Sequence, residues 1–255
     1  MSGSASRIIA LMEAFETSGD GAMTAQELLE RSGLPLSTGY RIISELQDLG
    51  LVHRGPDRKL LPNFTFQRRL MSPYVDIEYL ATACKALSES LNSAAEVVIL
   101  NGQNLLWHIV EQHPDQEIRL RAHSGFLRST HELDSISRLA LAHLSLADIE
   151  KRWDTSAFFS TGLDRQPMSW EDVRDGLQAV DTNEVQLDMM GNAKGIRRFA
   201  VAIHGSEGEL ACLLTVAEAA IPVRNEAAHV AALHESLLTQ KSLIEGYQMK
   251  LTASG

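Results

Sequence analysis

The sequence predicts an α+β protein with two unlike domains. Its first 50 residues carry one-sided apolar stripes at helical spacing, separated by glycine-containing turns, and lead into a hairpin signal. Further along, strand-like runs alternate with helical stripes, and the last strand pair is joined by the hairpin turn Ser206–Gly208. Helices mixed with paired antiparallel strands are typical of an α+β domain.

Three helices are predicted at the N-terminal end. The first carries its apolar stripe from Ile8 to Phe15, and a capping box of Thr24 and Glu27 opens the second. The third helix runs from about residue 37 to residue 49 and is closed by Gly50. Its predicted buried side consists of Ile42, Ile43, Leu46 and Leu49.

A β-hairpin follows the third helix. The runs Leu51–Arg54 and Lys59–Leu61 flank the turn Gly55–Arg58. Three helices and a hairpin within about 60 residues form the outline of a winged helix-turn-helix. This predicts a first domain at residues 1–63.

A linker and a larger second domain account for the rest of the chain. The pattern weakens over residues 64–79, which we interpret as the linker, and the second domain covers residues 80–255. Its predicted elements are a helix at 77–91, strands at 96–100, 105–111 and 117–121, helices at 135–144, 146–153 and 169–180, strands at 199–204 and 209–217, and a long final helix.

The composition is that of an ordinary globular protein, with 44% hydrophobic and 22% charged residues. With no apolar run long enough for a bilayer and no signal peptide, we expect a cytoplasmic protein without a membrane partner. The net charge of -10 lies entirely outside the first 70 residues, which hold eight basic and eight acidic side chains of the chain's 23 and 33. Charge therefore permits DNA binding without favouring it.

Motifs for catalysis and for metal binding are missing from the sequence. It contains no HExxH, no G-x-S-x-G, no phosphate-binding loop and no G-x-G-x-x-G. The nine histidines show no zinc-site spacing. Cys84 and Cys212 lie far apart in the sequence and form no CxxC motif, so we expect both to be buried, reduced thiols. We therefore expect no catalytic residue, no metal ion and no cofactor.

The third helix and the hairpin supply candidate DNA contacts. In a helix-turn-helix the second helix of the motif enters the major groove, and its early exposed residues contact bases. The outward-facing residues predicted there are Ser37, Thr38, Tyr40, Arg41 and Ser44, and the residues near the hairpin turn that can reach phosphate are Arg54, Arg58 and Lys59. The alternative is a helical packing module whose polar face is merely solvated.

Two stretches carry a family resemblance. Residues 34–41 (LPLSTGYR) followed by residues 46–52 (LQDLGLV) resemble the recognition helix and wing start of the IclR family of bacterial transcriptional regulators, which typically has Leu-Pro-Lys-Ser-Thr-(Ala/Val)-(His/Tyr)-Arg. Leu36 occupies the usual lysine position, so one phosphate contact is lost. The resemblance covers nearly the whole chain. It implies a homodimer, often a homotetramer, that binds double-stranded operator DNA as a repressor or activator.

The resemblance also implies that the second domain is GAF-like, with an antiparallel sheet flanked by helices, and binds a small effector. The matching pocket positions are Ile118, Leu120, Ser135, Ile136, Asp188, Ile196, Arg198, Thr215 and Ala217. Ser135 and Ile136 occupy positions at which, in the family, backbone N–H groups hold a carboxylate. Arg198 occupies a position at which the family has a cysteine.

A guanidinium in a pocket needs a partner, because burying a lone charge is costly. For Arg198 two partners remain open: an anionic ligand, or the carboxylate of Asp188. If Arg198 faces the pocket, the effector class is a small organic acid. The alternative function is a small-molecule sensor, or an enzyme acting on an organic acid, without DNA binding.

Overall fold

The computed structural model describes residues 4–16, 22–55, 57–63, 76–116 and 122–252. The chain divides into two compact units, residues 1–68 and residues 69–255. No described helix combines the length and the apolar character that a membrane span requires.

The first unit is a winged helix-turn-helix. Its elements are α1 (Ser4–Glu16), α2 (Ala25–Ser32), α3 (Leu36–Asp48), β1 (Val52–Arg54) and β2 (Leu60–Pro62). The predicted capping box is present: the Thr24 hydroxyl accepts the Glu27 N–H, and the Glu27 carboxylate accepts the Thr24 N–H at 2.8 Å. Gly33 ends α2 with φ at 65°, the left-handed conformation that favours glycine. The local signals therefore place both ends of α2 correctly.

One apolar core joins the three helices to the hairpin. Its largest fully buried side chains are Leu11, Phe15, Leu28, Leu29 and Leu60. Leu60 also exchanges two backbone hydrogen bonds with Met23, of 2.7 and 3.2 Å, which tie the hairpin to the segment before α2. The hairpin is thus held against the helices by both packing and backbone pairing.

The predicted buried side of α3 is confirmed for Ile42, Ile43 and Leu46 but is wrong for Leu49. That residue is 72% exposed. It is the C-cap residue that follows the last helical residue, Asp48. Helical spacing therefore no longer determines where its side chain points.

The second unit is built on an antiparallel sheet. Its strands are β3 (Ala94–Asn101), β4 (Asn104–Glu111), β5 (Leu127–Ser129), β8 (Gln186–Leu187), β9 (Ile196–His204) and β10 (Leu210–Ala219). Among the described residues they pair in the order β5-β4-β3-β10-β9-β8. A separate short parallel pair is formed by β6 (Glu132–Leu133) and β7 (Phe159–Ser160). The predicted fold class, α+β with an antiparallel sheet, is confirmed.

Helices cover both faces of this sheet. They are α4 (Ile77–Leu91), α5 (Ser135–Leu141), α6 (Leu146–Arg152), α7 (Trp170–Gln178) and α8 (Glu226–Thr252). Leu80 of α4 and Leu237 of α8 pack in one core with Val201 of β9. Ile136 of α5 packs in another core with Ala200 of β9, on the opposite face because neighbouring strand residues alternate.

Most predicted elements of the second unit are found within a few residues of their predicted bounds. The predicted helix at 77–91 is α4, the predicted strand at 199–204 lies within β9, and the predicted strand at 209–217 begins one residue before β10. The predicted strand at 117–121 and most of the predicted linker, residues 64–75, lie outside the described residues. Cys84 of α4 and Cys212 of β10 are both buried in the same apolar core, and burial raises the pKa of Cys212 to about 12.

Candidate DNA-binding surface and effector site

The first candidate site is the exposed face of α3. Its exposed residues include Leu36, Ser37, Tyr40, Arg41 and Ser44, with Thr38 half-buried beside them. All five predicted contact residues of this helix therefore lie at or near the surface.

Gly39 fixes which side of α3 packs against α2. A Cβ atom at this position would lie 1.9 Å from the Leu29 Cδ2 atom, so a larger residue would push the two helices apart or displace the leucine. Because Gly39 faces inward, its neighbour Tyr40 faces the solvent, and Thr38 on the other side is half-buried. Close packing at one glycine thus sets the orientation of the recognition face.

Arg41 is the one cation of α3, and it is not free. Its guanidinium contacts the Glu45 carboxylate at 2.5 Å, one helical turn away, and both side chains are more than half exposed. With Asp48 the helix carries one positive and two negative side chains. The face that would meet DNA is therefore not basic, and it offers hydroxyl, aromatic and apolar groups.

The hairpin supplies the positive charge that α3 lacks. Arg54, Arg58 and Lys59 are all exposed. The turn between the strands is closed by hydrogen bonds from Gly55 N to Lys59 O at 2.8 Å and from Arg58 N to Gly55 O at 3.2 Å. Arg58 has φ at 59°, a conformation that is unusual for a residue with a side chain. The three predicted wing cations lie together at one tip.

The second candidate site is a set of polar side chains between α5 and the sheet, which we call the charged layer. Its members are Glu96, Arg128, Glu132, Asp134, Arg138, Asp188 and Arg198. The side chain of each is no more than a quarter exposed. Three arginines face four carboxylates, so these described residues carry a net charge of about -1 at neutral pH.

The sequence left open whether Arg198 pairs with Asp188 or with a ligand, and the structure pairs it with Glu96 instead of Asp188. The Arg198 guanidinium binds Glu96 through two of its nitrogens, at 2.9 and 3.3 Å, and the Thr215 hydroxyl donates to the same carboxylate at 3.0 Å. Glu96 on β3 lies directly opposite Thr215 on β10 in the strand register, which brings the acid within reach. Burial disfavours the charged guanidinium, but Glu96 outweighs it and raises the pKa of Arg198.

Asp188 instead holds the start of α5. Its carboxylate accepts the Ser135 N–H and binds Arg138 at 2.7 Å. The N-cap residue Asp134 accepts the Ser137 N–H at 3.0 Å, and burial of that carboxylate is offset by Arg128, which lowers the pKa of Asp134. Of the two N–H groups that the resemblance assigns to a ligand carboxylate, that of Ser135 is already bound by the protein's own Asp188.

The remaining predicted pocket residues lie around the same helix start. The Ser135 hydroxyl donates to the Arg198 carbonyl at 3.1 Å, and Ile136 is fully buried. Ala217 is paired with Arg198 in the strand register, and Ile196 packs on Ala217. Ile118 and Leu120 lie outside the described residues. The seven predicted residues that are described therefore converge on one region.

The ring of Trp107 contacts two arginines of the charged layer. Its ring has the Arg128 Cζ atom at 5.5 Å and the Arg198 Cζ atom at 5.4 Å, within the range of cation–π contacts. The ring is 1% exposed, yet neither its Nε1–H nor the Nε–H of Arg128 has an acceptor among the described residues. Buried donors without acceptors are uncommon in folded proteins.

Sequence reasoning missed Glu96, Trp107 and Arg128 as members of this site. One signal was present for Glu96, which interrupts the apolar run Ala94–Val98 of a predicted strand. An acid inside a buried strand requires a cationic partner, but nothing in the sequence identifies Arg198, 102 residues away, as that partner. Among the described residues, no group of three His, Cys, Asp or Glu side chains is placed to hold a metal ion.

Comparison with known proteins gives a family match for the first unit. Residues 4–56 match the model of the IclR helix-turn-helix domain. No curated protein matches the chain by sequence. The match covers α1, α2, α3 and β1, which are the elements that place the recognition face.

Solved structures give the fold of the whole chain. A crystal structure of an IclR homolog from Microbacterium hydrocarbonoxydans, complexed with 4-hydroxybenzoate, is 19% identical, with 95% of this chain and 99% of that chain covered at a TM-score of 0.73. An IclR transcriptional regulator from Alicyclobacillus acidocaldarius is 13% identical, with 97% and 99% covered at a TM-score of 0.73. At these identities the likeness establishes the fold alone.

Proposed function

We propose that this protein, an IclR-type transcriptional regulator by its helix-turn-helix domain and its fold, binds operator DNA as a homo-oligomer under the control of a small organic acid. The DNA-binding part of the proposal is supported by the exposed face of α3, which lies within the matched domain. A dimer is part of the proposal because two recognition helices read two half-sites of an operator. As a DNA-binding regulator it would act in the cytoplasm.

The DNA contacts divide between the helix and the wing. In the proposal, α3 enters the major groove with Ser37, Thr38 and Arg41 closest to the bases, while the cations of the wing contact the phosphates. Arg41 would exchange its exposed partner Glu45 for a guanine or a phosphate, which costs little because exposed ion pairs are weak.

The test is binding to the DNA upstream of the protein's own gene, with nonspecific competitor, at two salt concentrations. We expect selective binding that weakens with salt. Arg41→Ala should lower the affinity by about tenfold to a hundredfold. Arg174→Ala is the matched control, since Arg174 is also an exposed arginine paired with a neighbouring acid, on α7.

Selective binding that survives Arg41→Ala unchanged would remove α3 from the interface. If no selective binding appears at either salt concentration, the regulator function fails. The second unit would then have to be tested by itself as a sensor or enzyme for organic acids.

The effector part of the proposal is supported by the donors of the charged layer. Trp107 Nε1–H and Arg128 Nε–H point to an oxygen-rich ligand, because each has a proton to donate and no acceptor among the described residues. The acids already present neutralise the arginines, so an entering carboxylate would have to displace Asp188 from the Ser135 N–H. Closing on such a ligand would move α5 relative to the sheet.

Calorimetry with 4-hydroxybenzoate and with pyruvate tests this site, the first compound because it is bound in one structural neighbour. We expect Trp107→Phe, which keeps the ring and removes the N–H, to weaken acid binding about tenfold. Trp170→Phe is the control, because the Trp170 N–H donates to Glu150 on the surface. Equal acid affinity in Trp107→Phe and wild type would exclude this donor from the site.

A further inference from the structure

Leu36 is an exposed apolar residue at the start of the recognition helix. It is the first residue of α3 and is 63% exposed, whereas Ile42 and Ile43 on the same helix are buried. Tyr40, one turn further on, is 50% exposed. Residues four apart lie on one side of a helix, so the two form a short apolar strip open to solvent.

The charges around this strip do not favour a phosphate contact. Arg41 is bound to Glu45, and α3 as a whole carries one more negative than positive side chain. Three exposed cations, Arg54, Arg58 and Lys59, lie at the wing and not on this helix. The start of α3 therefore offers methyl, aromatic and hydroxyl groups to whatever it contacts.

DNA presents one matching apolar group in the major groove, the C5-methyl of thymine, which proteins recognise by apolar contact. The early residues of a recognition helix are those that reach base edges. We propose that Leu36, flanked by Tyr40, contacts a thymine C5-methyl group and so makes this protein select thymine at one operator position. The inference rests on the proposed DNA-binding function.

The test uses operator DNA in which each thymine in turn is replaced by deoxyuracil, which lacks only the C5-methyl. For wild type we expect one position at which the replacement lowers the affinity about fourfold, the effect of removing one buried methyl. Leu36→Ala should bind thymine DNA about fourfold more weakly and lose the difference between thymine and uracil at that position.

Leu49→Ala is the matched control. Leu49 is an exposed leucine at the opposite end of α3, 72% exposed, so its replacement should leave the uracil profile of the wild type unchanged. Leu36→Lys supplies a second variant. It should also lose the methyl dependence, while its affinity falls more steeply with salt by about one phosphate contact.

The possible outcomes distinguish failure of the thymine contact from failure of the proposed DNA-binding function. Absence of selective DNA binding overturns both. Selective binding with the same uracil profile in wild type and Leu36→Ala overturns the thymine contact alone. A changed oligomeric state in Leu36→Ala, measured by light scattering, overturns it as well, because Leu36 would then contact another protein chain.

Discussion

Two arginine–glutamate pairs occupy opposite environments in this protein. Arg41 and Glu45 are four residues apart on α3, with side chains 60% and 51% exposed. Arg198 and Glu96 come from different strands, with side chains 9% and 0% exposed. Solvent surrounds the first pair, so Arg41 can exchange Glu45 for a group on DNA at a small cost in free energy. The second pair lies in the interior, so separating its two charges costs much more free energy.

Breaking the buried pair should have the largest effect. Glu96→Ala would leave the Arg198 guanidinium buried without its carboxylate, and we expect the free energy of unfolding of the second unit to fall by about 3–5 kcal/mol. Denaturant unfolding measures this loss.

Two variants check the reason for that loss. Glu45→Ala in the exposed pair should cost less than about 0.5 kcal/mol. Replacing both Glu96 and Arg198 with methionine should recover most of the stability, since no unpaired charge remains. A loss below about 1 kcal/mol in Glu96→Ala would mean that water reaches the pair.

The next largest effect is expected from acid at a half-buried histidine pair, His143 and His204. The His143 Nδ1 atom lies 2.8 Å from the Leu139 carbonyl, so it carries the proton, and the His143 Nε2 atom accepts from His204 at 3.1 Å. Protonating both rings would place two N–H donors face to face. Burial first, and then the positive charges of His204 and Lys241, lower the pKa of His143.

The unfolded chain binds this proton more readily than the folded protein does, so the free energy of unfolding decreases as the pH falls. Stability from this site is complete above about pH 6.5 and is lost as the pH falls through the lowered pKa of His143. The slope of the unfolding free energy with pH should drop in His143→Gln, by less than the ceiling of about 1.4 kcal/mol per pH unit, since solvent reaches the ring.

Unfolding at pH 7.5 and 5.5 with a chelator present measures this difference. His53→Gln, in the exposed β1 strand, is the control and should keep the slope of the wild type. Equal slopes in all three proteins would contradict the role of His143.

The smallest effect is expected at the exposed pair. Glu45→Gln removes one negative charge from α3 and releases Arg41, so the affinity for DNA should rise about twofold to threefold at low salt. The free energy of unfolding should change by less than about 0.5 kcal/mol. Titration of labelled DNA at two salt concentrations measures the gain, which should shrink as salt increases. A weaker affinity would indicate that Glu45 itself contacts a base.

The sequence predicts those features of the fold that depend on residues close to one another along the chain. The capping box of Thr24 and Glu27 acts over three residues, and the turn at Gly208 joins two adjacent strands, so both are visible in the order of the residues. Strands of two residues, such as β8, are too short to show an alternating pattern and were not predicted.

The two candidate sites also differ in whether their residues are close together in the sequence. The face of α3 follows from helical spacing over thirteen residues, apart from Leu49 at its end. The charged layer depends on which strands become neighbours, and a single sequence does not contain that information. Arg198 was therefore identified as a residue in need of a partner, while Glu96 was not identified as the partner.

The position of Trp107 gives the second unit a built-in optical probe. The chain has three tryptophans, and the ring of Trp107 contacts two guanidinium groups of the charged layer. Indole emission responds strongly to nearby charge, so any movement of Arg128 or Arg198 would change the colour or the intensity of its fluorescence. Rearrangement of the protein's interior can thus be followed in real time, without attaching a dye.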